Sequence, residues 1–205
     1  MKRILLVLAL FGACGFAAPI LILTPDLPVD PSALNQGFQA TLGYEFTLSR
    51  AYTIRALGVY DSGDDGLANN HTVDVWDSNQ NIVATGFIPS GSVAILSAHF
   101  RYMPISPVVL LPGTYVIGSD SGDTDPWTYT YNPAHFALTS GATFIEDRYA
   151  VSGPLVYPTA SVCPNGECGA QFGPNMSDTP EPGTLGLLGC AITALGLLRF
   201  KMRSR

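Results

Sequence analysis

Lysine is absent between Arg3 and Phe200. Over residues 19–178 the cations are four arginines, Arg50, Arg55, Arg101 and Arg148, against fifteen acids, a net charge near −11. A surface this acidic repels phosphate backbones, which excludes nucleic acid as a partner. Glutamate occurs in that stretch at Glu45, Glu146 and Glu167. Charged helix formers this scarce favour an all-β reading. The three histidines, His71, His99 and His135, stand apart, without a His-x-x-x-His or Gly-x-Ser-x-Gly spacing to build a metal or nucleophile site. The expectation is a protein that is not an enzyme. A glycoside hydrolase is the remote alternative, because aspartates are plentiful enough to furnish a carboxylate pair in three dimensions.

Cysteine is nearly as sparse. Cys14 and Cys190 fall in the apolar ends, leaving Cys163 and Cys168 around Pro164-Asn165-Gly166-Glu167. A metal site needs four ligands, and no second Cys or His pair lies nearby. In an oxidising compartment the pair is expected to form a disulfide that staples the turn.

What the chain does have is Gly, Pro, Ser, Thr, Val and aromatic residues in short strand-like runs. Such runs fall at residues 43–48, 51–60, 72–77, 82–87, 98–105, 108–110, 114–119, 128–131 and 143–149, with a hairpin turn at 77–81. Seven or more short strands at this spacing predict an all-β fold, a two-sheet β-sandwich of jelly-roll-like topology. The domain is expected over residues 39–176, after a proline-rich extended lead-in over 19–38. No internal duplication is convincing.

Two loops nearly repeat one another: Asp61-Ser62-Gly63-Asp64-Asp65-Gly66 and Asp120-Ser121-Gly122-Asp123-Thr124-Asp125. Calcium takes six to eight oxygens, and close carboxylates with a glycine to turn the backbone supply them, so Asp61, Asp64, Asp65, Asp120, Asp123 and Asp125 are candidate calcium ligands. The bidentate glutamate of a helix–loop–helix site is missing, and Asp, Ser and Gly are also what ordinary turns are made of. Trp127, Tyr129 and Tyr131 would share one face of a strand. Such a row could stack on sugar rings, which gives a carbohydrate-binding module as the alternative function. Packing into the core explains the same row more simply, and Trp76 is expected in the core too.

The two ends carry addresses. Residues 1–18 have a cationic start, an apolar run over 4–16 and small residues Gly15, Ala17 and Ala18, the layout of a secretory signal peptide for the export machinery and signal peptidase. Residues 177–205 hold Pro180-Glu181-Pro182, then an uncharged run over 183–198, then Arg199, Lys201, Arg203 and Arg205. As a transmembrane helix that run reaches roughly 24 Å, and Arg199 extends it by snorkelling. The basic tail sets the tail in the cytoplasm and the main domain outside.

This order of parts resembles the PEP-CTERM sorting signal of proteins exported by Gram-negative bacteria. The Leu-Pro-x-Thr-Gly of a sortase signal is absent. The resemblance implies handling by exosortase, a membrane-embedded, cysteine-dependent transpeptidase-like enzyme, with Pro180-Glu181-Pro182 as its recognition element. It also implies a membrane-anchored precursor bound for the cell surface or the extracellular matrix, where exopolysaccharide is a possible partner. The body, through Gly58-Val59-Tyr60-Asp61-Ser62-Gly63-Asp64-Asp65-Gly66, His71-Thr72-Val73-Asp74-Val75-Trp76, Leu111-Pro112-Gly113-Thr114-Tyr115 and Phe172-Gly173-Pro174-Asn175, is similar to a β-sandwich family of unassigned function on bacterial surface proteins. That likeness supplies no catalytic residue.

Overall fold

The computed structural model describes residues 19–23, 40–121, 125, 127–130, 136–151, 155–161 and 170–178. The chain divides into a compact unit over residues 17–181 and a second over 1–16 with 182–205, which lies outside the described residues. Among the described residues the chain is all-β. In order the strands are β1 (Leu21–Leu23), β2 (Ala40–Leu48), β3 (Tyr52–Tyr60), β4 (His71–Asp77), β5 (Ile82–Ile88), β6 (Ile95–Ser97), β7 (Phe100–Leu110), β8 (Gly113–Ser121), β9 (Thr128–Thr130), β10 (Phe136–Leu138), β11 (Ala142–Ala150), β12 (Ala170–Phe172) and β13 (Pro174–Ser177). No helix among the described residues is long and apolar enough to cross a membrane.

Two antiparallel sheets form the body, ordered β11-β2-β8-β4-β5 and β13-β3-β7-β6, with small pairs β1-β10 and β12-β9 beside them. Period-two alternation gives the first sheet an inner face. Leu42, Tyr44, Phe46 and Leu48 of β2 are buried there, as are Val73 and Val75 of β4. Tyr44, Phe46, Leu48, Val73 and Val75 meet Ile54, Leu57, Phe100 and Tyr102 from the second sheet in one apolar cluster. Tyr60 and Phe100 meet edge to face at 5.6 Å within it, the geometry that the ring quadrupole favours.

Turn chemistry fixes the registers. Asp77 Oδ1 accepts the N–H groups of Asn79 and Asn81, and Gln80 takes a φ of 65°, closing the expected hairpin from β4 to β5. The runs at 98–105 and 108–110 join into the single strand β7. Its pairing jumps from Ala56↔Pro104 to Ile54↔Val108, so Ile105, Ser106 and Pro107 bulge opposite Arg55. Pro107 offers no N–H to the ladder, and a bulge is where a strand tolerates that. Ala98 and His99, expected in a strand, instead turn with φ of 49° and 68°.

The start of the lead-in belongs to the core. Ile20 and Leu21 are fully buried. Ile20 N–H donates to the Met176 carbonyl, while the buried Asn175 side chain accepts from Leu21 N–H and donates to the Leu21 carbonyl. One amide thereby satisfies both backbone groups of Leu21 at the edge of β13.

Candidate functional site

Burial forces the acidic loops to pair their charges. Asp61 directly follows β3 and is 2% exposed. Its carboxylate accepts from Arg101 Nε at 2.7 Å and from Gly66 N–H at 3.0 Å. Arg101 Nη1 and Nη2 donate to the carbonyls of Ala94, at 3.2 Å, and Asp64, at 3.0 Å. A buried guanidinium is tolerated when a carboxylate pairs it and each of its nitrogens finds an acceptor in this way. The loop bends through Gly63, Asp64 and Gly66, all at positive φ, with Asp64 an uncommon non-glycine case. Exposed Asp64 meets His99 Nδ1 at 3.1 Å.

The second loop is tied to the first through His71, which is 2% exposed at the start of β4. Its Nδ1 lies 3.0 Å from the Asp120 carbonyl and its Nε2 lies 2.9 Å from Asp125 Oδ2. Both partners are acceptors, so both ring nitrogens carry hydrogen and the ring is an imidazolium. Burial pulls the His71 pKa down, but the bonds to Asp125 and Asp120 and their charges outweigh it and raise it above the usual value. Asp125 also accepts the N–H groups of Ala68 and Asn69, each at 2.7 Å. Burial pushes its carboxyl up, yet these bonds win and hold it below the usual carboxylate range. Asp120 Oδ1 accepts Thr72 N–H at 2.6 Å.

The chemistry open to this cluster follows. His71 has no free nitrogen to act as base or ligand. Asp61, Asp120 and Asp125 each hold protein donors. Asp64 and Asp65 stand on the exposed side of the first loop, and Asp123 lies outside the described residues. Among the described residues no three His, Cys, Asp or Glu side chains group as a metal site. The recess beside His71, lined by Tyr60, Ser119, Asp125, Trp127 and Gly173, has room for about one water.

The other expected residues divide between seen and unseen. Trp127 is half-buried against this recess, just ahead of β9. Nothing is described of the Tyr129 side chain, and Tyr131 lies outside the described residues. So do Cys163, Cys168, the signal peptide, Pro180, Glu181, Pro182 and the basic tail. Trp76 is 3% exposed but stands apart from the inter-sheet cluster. It faces the opposite side of its sheet, where Tyr157 meets it edge-on at 5.8 Å. Beside it Arg148 binds Glu45, Nε to Oε2 at 2.8 Å, and Glu146 at 2.7 Å. This outer cluster was hidden in the sequence: Glu45 and Glu146 become neighbours only through the β2–β11 register.

No protein-family profile matches the chain, and no curated protein is similar to it.

Proposed function

We propose that this is a non-catalytic, exported protein of the cell surface or extracellular matrix, held by a PEP-CTERM signal and processed by exosortase. The observation that carries the reading is the order of parts over 179–205: Pro180-Glu181-Pro182, an uncharged run, then Arg199, Lys201, Arg203 and Arg205. The secretory leader at residues 1–18 supports it, since a signal read at the outer membrane face requires export. The acidic loops support a binding or structural role, because their buried carboxylates and His71 are committed to one another. The fold is read as jelly-roll-like: β2 pairs β8 while β3 pairs β7, the nested pairing left by a long hairpin wrapped into two sheets.

The test is the intact mass of the protein recovered from the cell surface, beside a variant with Pro180-Glu181-Pro182 changed to alanines. The expected wild-type chain starts near Ala18 and ends close to the motif, with the variant left full length. Both chains retaining Arg205 would reduce the stretch to a plain membrane anchor and end the proposal.

A further inference from the structure

The edges of the two sheets are treated unequally. At β11 the outer side of Tyr149 exchanges backbone hydrogen bonds with Ala160, at 2.8 and 3.0 Å. The edge strand β13 is covered by Pro19 and Ile20. On the far side β6 is three residues long, and the part of β7 beyond it carries Pro104 and Pro107. Covering, shortness and proline are the usual ways to blunt an edge.

β5 uses little of this. A bulge at Val83 interrupts its start, but Ala84 to Ile88 pairs β4 without a break, and among the described residues no strand lies on its other side. It holds no proline and no charge. Ile82 and Phe87 stand out from it, 57% and 58% exposed. Between this edge and the β7 bulge runs an open cleft of about 600 Å³, lined by the whole of 82–87 with Pro104, Ile105, Ser106 and Val108.

Charge names the occupant. In a domain of net charge near −11, no charged side chain occurs between Asp77 and His99, or between Arg101 and Asp120. Both walls of the cleft come from those stretches. Two copies of a chain this acidic repel one another over most of their surface, and here that repulsion is least. An antiparallel edge is self-complementary about a two-fold axis, so the same strand serves both partners. We propose that β5 pairs with β5 of a second copy, fusing two five-stranded sheets into one continuous sheet with the apolar side chains of both edges packed together. The pairing does not depend on where the protein resides, so it stands or falls apart from the sorting proposal.

Sedimentation velocity of the full chain in mild detergent, over about a hundredfold range of concentration, tests it. The wild type is expected to dimerise. Ile82→Lys and Phe87→Lys each put a charge among the apolar side chains packed between the two edges and are expected to weaken the dimer at least about tenfold. Val151→Lys, at a more exposed position beside β11, is expected to leave it intact. In parallel, amide exchange over 84–88 in the wild type should slow as concentration rises. A wild type that stays monomeric overturns the proposal, as does a Phe87→Lys dimer of undiminished affinity. Unchanged exchange at 84–88 across the range overturns it without reference to any variant.

Discussion

His71 Nε2 sits 2.9 Å from Asp125 Oδ2 with both residues buried, and this contact, with the Ala68 and Asn69 N–H groups on the same carboxylate, ties the loop after β3 to the loop after β8. The pair is charged. His71 has its pKa raised above 6.5 and Asp125 has its own lowered below 3.8, so each form is favoured by folding.

The pH dependence follows with opposite signs on the two limbs. The raised histidine contributes fully below its unfolded value, near 6.5, and its contribution is lost as pH climbs through the higher folded value. The lowered aspartate contributes above its unfolded value, near 3.8, and is lost as pH falls through the folded one. Melting scans from pH 3 to 9 should therefore show the clamp at full strength between about pH 4 and 6.5. His71→Gln should cost about 3–5 kcal/mol within that window, by leaving Asp125 without its cation, and should flatten the alkaline limb. An unchanged alkaline limb in the variant would reject the imidazolium.

Asp61 and Arg101 call for a double-mutant cycle. Asp61→Asn or Arg101→Met alone should destabilise by about 3–5 kcal/mol, since each leaves a buried charge without its partner. The double variant should lose much less than the two losses combined, because removing both charges also removes the desolvation penalty. Denaturant midpoints measure all four corners, and strict additivity would mean that the contact seen at 2.7 Å is not energetically coupled.

How far the sequence was legible depends on the range of the interaction. Period-two runs and turn residues located β2, β3, β4, β5, β8 and β11 closely, because alternation and Asx turns are local signals. The strands β1, β6, β10 and β13 are three or four residues long, too short to alternate detectably, and the partners of β1, β10 and β13 are distant in sequence. Leu21 pairs Leu138, and Pro174 pairs Val59. The aspartate loops were visible as a motif, but their use was not. That depends on Arg101 and His71, which reach them from β7 and β4. Four apolar residues in a row, Ile20 to Leu23, were the signal available for β1, and the surrounding prolines obscured it.

The outer face of the first sheet should be sensitive to very small additions. A Cβ on Gly118 would lie 3.1 Å from the Trp76 ring and 3.0 Å from Thr41 Cγ2, so the indole rests on bare backbone there. Gly118→Val should destabilise by about 1–3 kcal/mol through overpacking. Trp76→Ala should cost about 3–5 kcal/mol. Near-ultraviolet circular dichroism reports the environments of Trp76 and Trp127 together, and the Trp76→Ala difference spectrum isolates the first. A Gly118→Val spectrum and melting temperature equal to wild type would show that the ring does not lie there.

Calcium offers the sharpest check on the acidic loops. A ligand at ten times its dissociation constant adds about 1.4 kcal/mol of stability. For a domain of this size that raises Tm by about 3–6 °C. The structure leads to the opposite expectation. Asp61 is held by Arg101 and Gly66, Asp125 by His71, Ala68 and Asn69, and Asp120 by Thr72. A cation entering either loop would have to displace those donors and would meet the Arg101 and His71 charges at close range. Millimolar calcium should accordingly move Tm by less than about 1 °C, and chelator should leave it unchanged. A calcium-dependent rise of several degrees that vanishes in Asp64→Asn or Asp65→Asn would instead place an ion on the exposed side of the first loop, where those two carboxylates stand clear of the clamp.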